Sequence, residues 1–554
     1  MDPCNISTRN LKKIWLITKI VSCSSYKNIH QSGGAWNPKF STISTPLLNQ
    51  SINVCIQRGN LKDAREFFDQ YPLSRNVVSW NSMISGYFKH GQIKPAQQLF
   101  DEMPMRDIVS YNAILSGMHM SKDPHQVYLY FLNMARAGHK PNEFTFSIVI
   151  TSLLRTSFNP LLLTQLHGLA LRCSLNSSVF VGSALIRAYC DIDNLKCLRK
   201  VFDDIAEKDV SSWNAILLSY MDMGLTSEAE RAFDVMPETN IISWTTLING
   251  YINNKNLNRA RYIFQKASEK NVVMWTSMIN GYTQNSMFVE ALELFVSMLN
   301  LQTRPNCFTF STVLNACSGS SAFLTGKQVH SLVLKYGFDS DVVSSTALLN
   351  MYGNCGDIEA ATTVFECITQ KNLTTWNSII GCYSRHGEGV MALETFYRLT
   401  RTTRFKPDRI TFVNVLSACG RAGLVEEGEW LFDCMRNHYY GVEVEMEHYA
   451  CMVDLYGRAG FLNKAVKLME GMTMEPDVVV WGALLAGCCW HSCSELGEFA
   501  ARGLYKLKED HPAIYSSLSK IHGDNCEWIT VADIKSLVKR KQIEKQKAGS
   551  WIDS

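Results

Sequence analysis

The sequence predicts an all-α solenoid of stacked antiparallel helix pairs, and three observations predict it. The segment SWNSMISGY at residues 79–87 returns as SYNAILSGM at 110–118, SWNAILLSY at 212–220, SWTTLINGY at 243–251 and MWTSMINGY at 274–282. Trp213, Trp244 and Trp275 stand 31 residues apart. Within each copy the apolar residues fall at helical spacing, interrupted by glycine and proline. A fixed period in this range marks units that bury their apolar faces on one another.

One copy, Val77–Asp107, shows the elements in order. Trp80, Met83, Ile84 and Tyr87 fall at i, i+3, i+4 and i+7, one stripe of a first helix. Gly91 permits a turn. Ala96, Leu99, Phe100 and Met103 form the stripe of a second helix, and Pro104 discourages its continuation. The offsets recur at Trp213, Tyr220, Ala229, Phe233, Met236 and Pro237, at Trp275, Tyr282, Ala291, Phe295 and Met298, and at Trp376, Tyr383, Ala392 and Phe396. These aromatics are read as core.

Composition narrows the function classes. Hydrophobic residues make up 46% of the 554-residue chain, enough for a folded protein, yet no long uninterrupted apolar run suggests a membrane span. The 18 cysteines form no C-x-x-C pair, which fits small buried hydrophobes in a reducing compartment. Residues 1–44 differ from the rest: Arg9, Lys12, Lys13, Lys19, Lys27 and Lys39 face a single acid, Asp2, among many serines. That composition is expected of an organellar transit peptide, and the amphipathic stretch Leu11–Val21 favours a mitochondrion over a chloroplast. Formal charge is 54 − 51 = +3 for the whole chain, and 48 − 50 = −2 without the leader. Binding to a polyanion would therefore rest on local placement of polar groups rather than bulk charge.

Catalytic motifs are not expected. His386-Gly-Glu388 is the lone H-x-E of the chain, placed at a turn inside one repeat and without a downstream P-C-x-x-C, so a deaminase zinc site is not predicted. Phosphate loops, nucleophile elbows and metal-ligand clusters are missing from the sequence, and no cofactor is expected.

The arrangement of N, L-I, G-Y, G, A, F, M and P-D along each copy resembles the pentatricopeptide repeat family over about residues 45–554. Copy lengths support the resemblance: 31 residues for 77–107, 35 for 108–142, 36 for 143–178, then three of 31 from 179 to 271. Further copies run 272–306, 307–341, 342–372, 373–408, 409–445 and 446–477, after an irregular lead copy at 45–76. This alternation of normal, long and short motifs is similar to the plant PLS subfamily. EHYACMVDLYGRAG (447–460), PDVVVWGALLAGC (476–488) and GSWI (549–552) resemble the last short motif and the E-type extension of that subfamily, without its DYW deaminase domain. Ala548 stands where the family commonly has proline. The resemblance implies a right-handed superhelix, with a leader at 1–44, about thirteen repeats over 45–477 and an E-type extension over 478–554.

It further implies that the fifth residue and the last residue of a motif together choose one RNA base. A polar side chain at a fixed place in each repeat can meet one unstacked base. Asn49 with Asn76, Asn112 with Asn142 and Asn214 with Asn240 imply a pyrimidine. Asn81 with Asp107 and Asn377 with Asp408 imply U. Ser183 with Asp209 implies G. Thr245 with Asn271, Thr276 with Asn306 and Thr346 with Asn372 imply A. The long motifs, Ser147/Ser178, Ser311/Asp341 and Val413/Glu445, and the last copy, Ala450/Asp477, depart from this code. Aliphatic second residues, such as Val78, Val109, Ile242, Val273 and Val343, would wedge between bases. The implied target is Y-U-Y-n-G-Y-A-A-n-A-U-n-n-n-n-n-C, with the last short motif four nucleotides before an edited C.

The expected function is site recognition in organellar C-to-U editing of single-stranded RNA, with a DYW-type deaminase or an editing adaptor recruited in trans. The alternatives are a factor that stabilises or splices transcripts, and a tetratricopeptide-like protein scaffold.

Overall fold

The computed structural model describes residues 43–154, 160–509 and 511–540. The proposed leader up to residue 42, and the GSWI segment with Ala548, lie outside the described residues. Among the described residues there are thirty α-helices, one short 3-10 turn and no strand. None of these helices is long and apolar enough to cross a membrane. They form two compact units, divided between Gly250 and Tyr251.

In the first unit, Thr45–Gln57, Val77–Lys89, Ile108–Met120, Glu143–Leu153, Val179–Asp191 and Val210–Asp222 are the first helices of successive pairs, and each packs on the next. In the second unit a layer of its own is formed by Val272–Gln284, Cys307–Gly319, Val342–Asn354, Leu373–Arg385, Arg409–Ala422 and Met446–Ala459. Two further pairs extend it, Val478–Trp490 with Ser494–Leu507, and Pro512–Asp524 with Trp528–Arg540. The segment read as an E-type extension thus repeats the helix-pair architecture. Second helices lie outside this layer, between the first helix of their own pair and that of the next.

The tryptophan beat is scaffold, as its periodicity implies. Trp80 meets Phe68 edge-on at 4.8 Å, Trp213 meets Phe202 at 4.9 Å, and Trp376 meets Phe365 at 5.0 Å. Each contact joins a first helix to the second helix of the preceding pair, so a ring from one repeat closes the core of another. The glycine of the G-Y dipeptide lets first helices approach. A Cβ on Gly86 would lie 2.6 Å from Ile56 Cδ1, and one on Gly281 would lie 2.6 Å from Ile252 Cδ1. Gly91 takes φ +72° at the turn between the two helices of its pair, where a side chain would be strained.

Candidate nucleic-acid interface

The last residue of each motif is the residue that starts the next first helix. Asn76, Asp107, Asn142, Asp209, Asn271, Asn306, Asn372 and Asp408 occupy N-cap positions, and each accepts the backbone N–H three residues on. Asn240 does the same with the Ser243 N–H at 3.0 Å. Asn and Asp are favoured there because their side chains satisfy an amide that the helix leaves without a partner. Restriction to these two residues therefore has a structural cause in addition to any reading role.

The same cap reaches back to the fifth residue of its own motif. Asn49 Nδ2 donates to Asn76 Oδ1 at 3.3 Å, Asn112 Nδ2 to Asn142 Oδ1 at 3.1 Å, and Asn214 Nδ2 to Asn240 Oδ1 at 3.4 Å. Asn377 Nδ2 donates to Asp408 Oδ1 at 3.0 Å. A hydroxyl at the third helical position completes the cluster: Ser79 donates to Asn49 Oδ1, Thr145 to Asn112 Oδ1 and Thr411 to Asn377 Oδ1, at 2.5, 2.6 and 2.7 Å. Four of the pairs inferred from sequence are thus brought into direct contact.

Threonine pairs are joined differently. Thr276 Oγ1 lies 2.7 Å from Thr309 Oγ1, which donates to Asn306 Oδ1 at 2.9 Å. Thr346 Oγ1 lies 3.0 Å from Thr375 Oγ1, which donates to Asn372 Oδ1 at 2.9 Å. The shorter side chain reaches its cap only through the bridging hydroxyl. Thr245 donates to the Ile241 carbonyl at 2.7 Å, and Asn271 caps its own helix by accepting the Met274 N–H at 3.0 Å.

Asn81 and Ser183 complete the set. The Oδ1 atoms of Asn81 and Asn214 and the Oγ of Ser183 are enclosed without a hydrogen-bond partner in the protein. An enclosed polar atom left unpaired costs about 1–3 kcal/mol, so three fifth-position side chains present unmet hydrogen-bonding capacity. Asp209 accepts both the N–H and the hydroxyl of Ser212, at 2.8 and 3.0 Å.

Burial raises the Asp408 carboxyl, but the N–H and hydroxyl of Thr411 and the Asn377 amide outweigh it and hold its pKa below the ordinary value. The group is therefore an anion at neutral pH.

Two long motifs carry a different latch. Ser178 donates to Glu143 Oε2 at 2.7 Å, and Arg409 pairs with Glu445 at 2.6 Å. In both, the last residue is held by the first residue of its own motif instead of the fifth. The 307–341 motif keeps the Asp341 cap, but the hydroxyl of Ser344 turns to the Cys307 carbonyl at 3.5 Å.

A groove of about 350 Å³ shows which helix positions share a face. It is lined by Val78, Asn81, Ser82, Ser85 and Lys89 of one first helix, with Val109 and Ala113 of the next. Positions two, five, six, nine and thirteen of a first helix therefore look into the same space. Val78, Val109, Ile242, Val273 and Val343 are all exposed, and so are Phe144, Phe180 and Phe308 at the same second position. The three phenylalanines share the offset from the cap that the aliphatic residues have, and are legible in the sequence by that alignment alone.

The H-x-E motif is spent on structure. His386 Nε2 pairs with the Gly353 carbonyl at 2.6 Å, and the Glu388 N–H closes the turn on the Tyr383 carbonyl at 2.9 Å. Among the described residues no group of His, Cys, Asp and Glu could hold a metal ion.

Known proteins resemble this chain in sequence and in fold. Profiles of the PPR repeat family match residues 75–108, 106–155 and 270–319, and PPR repeat profiles match 211–241, 374–401, 410–439 and 447–475. A pentatricopeptide repeat domain profile matches 236–272 and 332–386. One pentatricopeptide repeat-containing protein of Arabidopsis thaliana is 31% identical over 485 residues, covering 87% of this chain and 70% of its own. Another from that plant, named mitochondrial, is 31% identical over 543 residues, covering 96% of this chain and 68% of its own. A third is 30% identical over 470 residues, and there the chain spans only 51% of the relative's length. The crystal structure of the pentatricopeptide repeat protein PPR10 in complex with an 18-nt psaJ RNA element shares the fold, with a TM-score of 0.56 at 15% identity, covering 97% of this chain and 85% of that one. This chain belongs to the pentatricopeptide repeat family.

Proposed function

We propose that the chain binds single-stranded organellar RNA one base per motif and marks a site for C-to-U editing, with the deaminase, or an adaptor for it, supplied by another chain. The observation that carries the reading is the contact between fifth and last residues of one motif, seen directly in Asn49–Asn76, Asn112–Asn142, Asn214–Asn240 and Asn377–Asp408. The relative named mitochondrial and the RNA bound by PPR10 support the compartment and the ligand class.

The chemistry follows from what each cap has left to offer. Asn and Asp both spend Oδ1 on the helix, so they differ in the remaining atom: a donor Nδ2 in Asn, an acceptor Oδ2 in Asp. An acceptor suits the imino N–H of uracil or guanine, and a donor suits the ring nitrogen of cytosine or adenine. At the fifth position, Asn fills the space beside its cap and favours a smaller pyrimidine, whereas Thr leaves room for a purine. The exposed second-position residues, Val78 to Phe308, would separate neighbouring bases.

Two measurements test the reading. The chain should bind RNA carrying Y-U-Y-n-G-Y-A-A-n-A-U in preference to a scrambled string of equal composition; equal affinity for both overturns base recognition. Sequencing organellar transcripts from plants without the protein should show lost C-to-U conversion downstream of that string. Intact editing with an altered transcript abundance would instead favour a stabilising or splicing role.

A further inference from the structure

The helix after the last motif keeps the groove-facing register but has no side chain able to read a base. In Val478–Trp490, positions two, five, six, nine and thirteen are Val479, Gly482, Ala483, Ala486 and Trp490. Val479 is 62% exposed, and a Cβ at Gly482 would meet nothing within 4 Å. The face therefore has room at the reading position and no hydrogen-bonding group there.

Trp490 is the exception to this plainness. It is 47% exposed, and the guanidinium of Arg458 sits over its ring at 4.5 Å. Arg458 occupies position thirteen of the preceding first helix, Met446–Ala459, and is fixed by Asp454 through Nε at 2.7 Å. The neighbouring His491 is anchored on the Arg458 carbonyl at 3.2 Å, which holds the end of the tryptophan's helix against the same arginine. An exposed indole backed by a fixed cation is suited to stacking any base, because every base presents a π-face. Position thirteen faces the groove in the first unit, where Lys89 lines it together with Asn81.

We propose that Trp490 seats one nucleotide just 3′ of the string read by the motifs, by stacking and without regard to base identity. The proposal rests on the RNA reading above. It gives one of the nucleotides between the read string and the edited cytidine a physical holder, and explains how that one can be unread yet fixed in position.

The test uses the full chain and three RNAs: the thirteen-nucleotide string ending at the last motif's nucleotide, the same string with two further 3′ nucleotides, and the string with two abasic 3′ residues. The two-nucleotide extension should tighten binding about tenfold, the lower range for one base–aromatic stack. The gain should be alike for all four bases, absent with abasic residues, and absent when the extension is placed at the 5′ end. Trp490→Ala should remove the gain while leaving the thirteen-nucleotide affinity unchanged, and Trp490→Phe should keep most of it. An equal gain from abasic residues, or a gain that survives Trp490→Ala, overturns the seat while leaving base reading intact. Failure to bind even the thirteen-nucleotide string overturns the RNA reading, and the seat with it.

Discussion

Asn377 donates through Nδ2 to Asp408 Oδ1 across 3.0 Å, and that same oxygen accepts the Thr411 N–H at 2.9 Å. One carboxylate oxygen thus starts a helix and orients a side chain 31 residues earlier in the chain. On the proposed reading stability and recognition share that atom, and substitutions at caps divide into those that separate the two roles and those that do not.

Asp408→Asn should separate them. Asn caps a helix as well as Asp does, so amide exchange in the first turn of Arg409–Ala422 should stay unchanged. Preference at the corresponding nucleotide should move from U toward C. Asp408→Ala should weaken the helix start by about 1 kcal/mol and speed exchange there. Unchanged exchange in the alanine variant would show that the cap contributes nothing.

Close approach of first helices should be sensitive to a single methyl group. Gly86→Ala puts a Cβ 2.6 Å from Ile56 Cδ1 and should destabilise the stack by about 1–3 kcal/mol, measured by denaturation. Adding Ile56→Ala should recover part of that loss by vacating the space, although the isoleucine's own burial is forfeited. Purely additive losses would contradict direct contact between the two positions.

Acidification should loosen two junctions that follow long motifs. His167 and His330 pair through Nδ1 with Tyr189 and Tyr352 hydroxyls at 2.7 and 2.8 Å, and burial lowers the pKa of both imidazoles from the ordinary 6.5. Each is neutral when folded and takes a proton more readily when unfolded. Their contribution is complete above 6.5 and is lost as pH falls from 6.5 toward the lowered folded values. The melting temperature should drop over that interval, and His167→Gln with His330→Gln should flatten the drop. A profile identical in the double variant would assign the pH response elsewhere.

The long motifs should be insensitive where the others are not. Ser178 is engaged by Glu143, so Ser147→Asn should leave preference at the fourth nucleotide unchanged. The same kind of change at Thr346, joined to Asn372 through Thr375, should shift preference at the tenth. Competition binding with single-nucleotide RNA variants distinguishes the two, and a shift at both positions would show that long motifs read bases by the same code.

Much of this was legible in the chain. The Trp213, Trp244 and Trp275 spacing marked the helix pairs because burial imposes a 3.6-residue stripe and stacking imposes the longer period. Asn49/Asn76 and its equivalents were legible as pairs through the family resemblance. The capping duty of Asn76 and Asp408 was legible in principle, since Asn or Asp before an apolar run is a helix-start signal, but the family resemblance implies only a base contact for those residues. The latches Ser178–Glu143 and Glu445–Arg409 were hidden because they join residues about one motif apart, and partner choice there depends on how adjacent first helices pack. The continuation of the stack through residues 478–540 was obscured by tails that lack the Asn and Thr pattern even though they keep the apolar one.

The central claim, that the fifth and last residues of a motif jointly choose one base, is tested most directly by changing one pair. Thr276→Asn with Asn306→Asp converts the eighth motif from the arrangement bridged by Thr309 to that of Asn377 with Asp408. Binding to RNAs varied at each nucleotide in turn should show preference at the eighth moving from A to U, with every other position unchanged. Identical preferences for the parent and the double variant would contradict the account.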